Sequence, residues 1–289
     1  MTTESSADDS QRTPHTLYTP PGLATRLADP STSRSLQKEL SLVNLYTAAC
    51  LYQWDSLPSL AAHVHRHTGD AATATQLVQA TIRHLVVFSG YGPTLAAMTA
   101  LKRAVVDEAD PVGIPFDTPG KVSVQSSGAP LPATESASKA GNAFELVYHE
   151  LSPKVRGTVY QADPVLENWI QNHLYGDVYS SPGLGMLTKQ HLTIAGLVKS
   201  NMQDQLYGHA LAALRFGGDV EFLKAIVDVV THWQQRVRAG DDETISRNGT
   251  KSKRVIDMAV VKFKKGGGTG ATGEILAENP EGTVCVPAL

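Results

Sequence analysis

Two stretches of this 289-residue chain carry the same apolar rhythm, 146 positions apart. Shifted by that amount, Thr47, Ala49, Leu51, Leu60 and His63 fall on Thr193, Ala195, Leu197, Leu206 and His209. With one further residue of slippage Phe88 falls on Trp233. A repeat of this size implies a pseudo-symmetric domain or a fused dimer. Apolar residues recur at steps of three to five in both copies, which is the period of a helix and not of a strand. The fold class read from the sequence is therefore all-α, with one histidine near the middle of each copy.

The repeats set five segments: an N-terminal arm over 1–32, a first repeat over 33–109, a linker over 110–142, a second repeat over 143–240 and a C-terminal extension over 241–289. The arm is rich in Ser, Thr, Pro and Asp, a composition that buries little. Leu36, Leu40, Val43 and Ala48 then trace one helix face. Pro58, just after Ser56 and Leu57, marks a helix start. That helix carries Leu57, Leu60, His63 and Val64, and a third runs over 73–88. The turn at 90–93 leads to a helix over 94–108. Five prolines between Pro111 and Pro132 interrupt any regular structure in the linker. In the second copy, Leu187, His191, Ile194 and Val198 share a face, Asn201 reads as an N-cap and Asp219 as another. The C-terminal extension is basic, with a short strand expected over 255–263 and a flexible glycine run over 266–273.

Composition narrows the function classes. Hydrophobic residues make up 42% and charged residues 18%, ordinary for a folded domain. The net charge of −3 supplies no general pull towards nucleic acid. The basic stretch from Lys251 to Lys265 is the one hint of an acidic partner, and no aromatic residues interleave its lysines in a stacking pattern. The longest apolar runs are broken by polar residues, so no membrane span is expected. Cys50 and Cys285 are too few for a disulfide framework. Residues 1–11 hold Glu4, Asp8 and Asp9 and no hydrophobic block. A cytoplasmic setting is the expectation, with a mitochondrial one left open.

The second copy contains Leu174-Tyr-Gly-Asp-Val-Tyr-Ser-Ser-Pro-Gly-Leu184, Leu192-Thr-Ile-Ala-Gly-Leu197, Gln205-Leu-Tyr-Gly-His209 and Ala212-Ala-Leu-Arg-Phe-Gly-Gly218. The first contains His84-Leu-Val-Val-Phe-Ser-Gly-Tyr-Gly-Pro93. Together these resemble the carboxymuconolactone decarboxylase family, whose fold is shared with alkyl hydroperoxidase D, over roughly 35–108 and 155–238. The resemblance implies a tandem two-repeat, all-α member. It also implies a homo-oligomer, a trimer of tandem chains with six pseudo-equivalent units, acting on a small molecule without cofactor or metal.

It implies two activities. Peroxide chemistry needs a low-pKa thiolate and a resolving thiol, Cys-x-x-Cys at a helix start. The matching positions are Met202 and Gln205, and Ser56 and Ser59, with no thiol at any of them. Cys50 sits in an apolar helical run and reads as a buried structural residue. Decarboxylation of a carboxylated lactone needs a cation for the carboxylate and an acid for the carbanion that carbon dioxide leaves behind. His209 would be that acid, with His63 its counterpart, and Lys189 the anion anchor. Gln190 stands where the family has an acid, and Tyr207 and Gln205 are local candidates for substrate contacts. In the first copy the matching pair is Val43 and Asn44, and Ser181 replaces the family's Arg before Pro182. An amide can hydrogen-bond but cannot shuttle a proton. These departures open a rival class, a non-catalytic assembly subunit. His63, His65 and His67 invite a metal reading, but two histidines on one helix face fall short of the three or four ligands zinc needs. His84 reads as a helix-end residue.

Overall fold

The computed structural model describes residues 17–107, 143–238 and 240–267. Every regular element among the described residues is helical. The first repeat holds α1 (Pro30–Cys50), α2 (Leu57–His67), α3 (Ala71–His84) and α4 (Tyr91–Asp107). A short helix over 143–148 leads into α5 (Ser152–Ala162) and α6 (Pro164–Trp169), which continues as a π-helix, Ile170–Tyr179. The second repeat holds α7 (Met186–Lys199), α8 (Gln203–Arg215), α9 (Val220–Val237) and α10 (Asp242–Lys265). The linker over 110–142 lies outside the described residues, as do Cys285 and most of the expected glycine run.

The helices α1 and α7 pack against each other at the centre of the molecule. Every residue from Glu39 to Cys50 and from Thr188 to Val198 is buried, the condition of a helix that must be apolar nearly all round. Helices α2, α3, α8, α9 and α10 bury one stripe each; in α9 it holds Phe222, Leu223, Ile226, Val230 and Trp233. Each large aliphatic side chain buried this way contributes ~1.5–3 kcal/mol relative to exposure.

Helix ends fix the register of the duplication, and they place it at 149 positions, not 146. Asp70 and Asp219 both cap, their carboxylates accepting from Thr73 N and Phe222 N, each at 2.8 Å. The helices they cap open at Ala71 and Val220. The central helices end at Cys50 and Lys199. Each is closed by a left-handed residue, Tyr52 at φ 61° and Asn201 at φ 56°. In each, the next residue donates back into the helix: Gln53 N to Ala48 O and Met202 N to Leu197 O, both 2.9 Å. Asn201 therefore terminates α7 and does not N-cap α8. In this register His209 corresponds to Leu60, and His63 corresponds to Ala212.

Contacts between the copies obey the same register. Trp233 Nε1 donates to Asn44 Oδ1 at 2.9 Å, while His84 Nε2 meets Thr193 Oγ1 at 3.0 Å. His84 and Trp233 are equivalent, as are Asn44 and Thr193, so each third helix reaches the other copy's central helix. Thr188 Oγ1 donates to Glu39 Oε1 at 2.8 Å, and these two are themselves equivalent. They lie on the approximate two-fold axis that such reciprocal contacts define.

Two segments differ from the sequence expectation. Residues 255–263 are part of α10 and not a strand. Ile245, Gly249, Ser252, Ile256 and Ala259 face inward at helical spacing, against α8 and α9. The helix is the fourth of the second repeat, as α4 is of the first, and its lysines point outward; Lys253 pairs with Asp228 at 2.6 Å. Packed structure also begins before residue 32: Leu23 is buried, Arg26 pairs with Asp219 at 2.6 Å and Tyr18 stacks on His232.

Candidate functional site

Lys189 and Gln190 lie on the first turns of α7, and His209 is in the middle of α8. The packing of these helices sets His209 Nδ1 2.8 Å from Gln190 Oε1. A carbonyl oxygen can only accept, so Nδ1 carries the proton and Nε2 presents a lone pair. That lone pair faces the Tyr148 hydroxyl at 3.4 Å, and Tyr148 in turn accepts from the Tyr175 hydroxyl at 3.1 Å. The result is a chain of four polar groups: Tyr175, Tyr148, His209, Gln190.

Each member comes from a different element. Tyr148 ends the short helix over 143–148. Its ring lies against α8 at Gly208, where even a Cβ would make an ordinary contact, 3.4 Å from Tyr148 Cε1. Tyr175 and Tyr179 project from the π-helix, where a four-residue step brings the rings into a stack with centroids 4.9 Å apart. π-Helical turns are uncommon and gather at functional sites. The Tyr179 hydroxyl bonds Thr193, which also holds His84. The cluster is thus continuous from α8 through the π-helix to α3 of the first repeat.

Burial sets the protonation of the group. His209 is 5% exposed, and desolvation lowers its pKa from the ordinary 6.5 to about 4, so the ring is neutral at pH 7. His84 falls to about 3, first through burial and then through the charges of Lys189 and His209. Burial brings Lys189 from 10.5 down to about 8. Lys189 Nζ donates to the Tyr179 and Ser181 carbonyls at 2.6 and 2.7 Å, which closes the π-helix onto α7. Burial raises the Tyr148, Tyr175 and Tyr179 hydroxyls. Gln190 Nε2 is buried with no hydrogen-bond partner.

No family model matches the chain, and no curated protein matches it.

Of the residues singled out from sequence, His209, Gln190 and Lys189 come together. His63 does not join them. It is half-buried on α2, its pKa lowered by burial, then by Arg66 and His67. Gln205 is exposed in the first turn of α8, and Tyr207 is two positions from His209, on the far side of the helix. Neither takes part in the hydrogen-bond chain. Among the described residues no group of three or more His, Cys, Asp or Glu is placed to hold a metal. Cys50 is buried, and burial pushes its thiol up to about 12, far from the thiolate that peroxide chemistry requires. Sequence reasoning missed Tyr148, Tyr175, Tyr179 and Thr193. The four-residue spacing places Tyr175 and Tyr179 on one helix face, but nothing in it points to His209, and Tyr148 carries no spacing signal.

A second buried polar group sits at the two-fold axis. His191 Nδ1 lies 3.1 Å from Glu39 Oε2, and its ring packs edge-on against Phe222. Burial alone would raise the Glu39 carboxyl; the bonds from His191 and Thr188 and the His191 charge more than offset this and leave it lowered. This group ties α1 to α7.

Proposed function

We propose that the second repeat carries a proton-transfer site and that the chain is a carboxymuconolactone decarboxylase-like lyase acting on a small carboxylated lactone or a related metabolite. One observation carries the reading. The first repeat serves as an internal control, and at the positions of Lys189, Gln190 and His209 it has Leu40, Ser41 and Leu60. The fold is thus built once with leucine at the lysine and histidine positions. Burying a lysine, an amide and an imidazole there is costly unless they are fully bonded, and Gln190 Nε2 is not. Buried polar groups that packing does not require suggest chemistry.

The roles follow from the protonation states. Lys189, with a pKa near 8, is a cation at neutral pH; it attracts a carboxylate, and its acidity suits donation to a carbanion. Burial leaves His209 neutral at rest, so it acts as the acid only after Nε2 has taken a proton from the substrate, with Gln190 holding the tautomer and Tyr148 the next group in line. The test is turnover of carboxymuconolactone by the wild type and by His209→Ala. Equal rates would remove His209 from the mechanism.

A second reading, a non-catalytic subunit of an assembly, is favoured by a different observation. Tyr160, Val165, Leu166 and Trp169 on α5 and α6 are exposed, and large apolar side chains gathered on a surface mark contact with other chains. Pull-down from the source cell separates the two; a lone homo-oligomer without a stable partner counts against the subunit.

A further inference from the structure

The π-helix has a second, outward-facing polar group, open to solvent. His173 Nδ1 lies 3.3 Å from Asp177 Oδ2, one four-residue step along the same helix. Both side chains are about half exposed, at 48% and 49%. The other ring nitrogen, Nε2, is 2.8 Å from the hydroxyl of Tyr91. Tyr91 is the first residue of α4, set there by the left-handed turn at Gly90, φ 76°, and it is 70% exposed. A carboxylate accepts only, so Asp177 fixes the proton on Nδ1 and leaves Nε2 as acceptor for the Tyr91 O–H. Carboxylate, imidazole and hydroxyl in this order form the arrangement that activates a hydroxyl nucleophile: a base within hydrogen-bond reach, and a third group that orients the base. Unlike the His209 chain, it is accessible to a reagent from solvent.

We propose that Tyr91 is a covalent acyl-acceptor site, with His173 its general base and Asp177 the residue that positions the base. The donor class is an activated acyl ester or thioester. The Tyr91 oxygen forms a bond to the acyl carbonyl carbon as its proton passes to His173 Nε2. The bond from that carbon to the leaving group breaks, the leaving group departs with the electron pair, and His173 gives it the proton. The product is an O-acyl tyrosine, with no change of oxidation state. This site is independent of the proposed decarboxylase chemistry.

The protein contains its own controls. Tyr160 and Tyr52 are also exposed, at 59% and 51%, and among the described residues neither phenol has a hydrogen-bonded base. The intact chain is treated with p-nitrophenyl acetate, and acetylation at each tyrosine is followed by peptide mass spectrometry. Tyr91 is expected to acylate about ten-fold faster than Tyr160, less than the ~10²–10⁴-fold of general bases in enclosed sites because this site is solvated. His173→Ala brings Tyr91 to the Tyr160 rate, and Asp177→Asn lowers it part of the way. All three residues are exposed, so these variants fold. The proposal is overturned if Tyr91 shows no excess over Tyr160, if the excess survives His173→Ala, or if the acetyl group accumulates on His173 and never reaches Tyr91.

Discussion

Replacing His209 by Leu and Gln190 by Met in one chain asks whether the fold needs its buried polar site. His209→Leu alone copies the first repeat's Leu60 but strands Gln190 Oε1, whose donor is His209 Nδ1 at 2.8 Å. Gln190 is fully buried and its Nε2 already lacks a partner, so the amide is left with nothing to bond. An orphaned buried acceptor costs ~1–3 kcal/mol, partly offset by the apolar surface that leucine buries. The single variant should therefore lose ~1–2 kcal/mol. Adding Gln190→Met removes the stranded group with a side chain of like length, and replacing both partners of a bond by apolar groups is close to neutral. Tyr148 keeps its bond from Tyr175, and its own O–H loses only the long 3.4 Å contact to His209 Nε2. The double variant should thus recover to within ~1 kcal/mol of wild type, or exceed it, while turnover disappears. Urea unfolding at fixed protein concentration reads the stabilities; for slopes of ~1–3 kcal/mol per molar, the single variant's midpoint falls by several tenths of a molar or more. A double variant less stable than the single one would refute the reasoning, because the polar pair would then be structural and the comparison with Leu60 would carry no functional weight.

Acid should unfold the protein partly through His209. The folded pKa of about 4 lies below the ordinary 6.5. Between these values the unfolded chain takes up a proton that the folded one refuses, so stability falls as pH drops from 6.5 to 4, by up to roughly 3 kcal/mol from this group. Urea midpoints across that range should show a shallower fall in the His209→Leu, Gln190→Met double variant; an unchanged slope contradicts the assignment. The lowered Lys189 pKa of about 8 works at the other end: stability gains as pH rises from 8 towards 10.5, and Lys189→Met should flatten that rise. Gly196→Ala places a Cβ 2.3 Å from Phe88 Cδ2 and 2.6 Å from its Cγ; overpacking of ~1–3 kcal/mol should outweigh the ~1 kcal/mol helix gain, and a raised melting temperature would contradict this. Asp219→Ala loses a cap and the Arg26 pair together and should cost about 1–2 kcal/mol, more than Asp70→Ala, which loses the equivalent cap alone; equal thermal shifts would show that the Arg26 contact adds nothing.

What could be read from the sequence, and what could not, divides along one physical line. A helix repeats its face every three or four residues, so sliding one copy by a turn against the other leaves the apolar pattern nearly intact. The duplication and the all-α class survive such a slide. The register does not, and the site depends on the register. An offset of 146 aligned His63 with His209 and suggested two histidine sites; at 149 the partner of His209 is Leu60. Only features that occur once per helix can break the degeneracy. Asp70 and Asp219 do so, because an N-cap has a fixed place at a helix start; Asn201 misled because a left-handed closing residue and an N-cap favour the same side chain. The strand expected over 255–263 fails for a related reason: its β-branched residues fit a pleat locally, but Ile256 and Ala259 continue the stripe begun at Ile245. Tyr148 shares no periodicity with the rest of the site and reaches His209 through tertiary packing alone. The two copies thus have unequal tasks. The first repeat keeps leucine at the decisive positions and sends His84 across to Thr193; the second, packed against that apolar frame, holds a buried lysine and a neutral imidazole. On the proposed reading, a tandem chain of this kind has one proton-transfer site, and its other half is the packing that keeps that site dry.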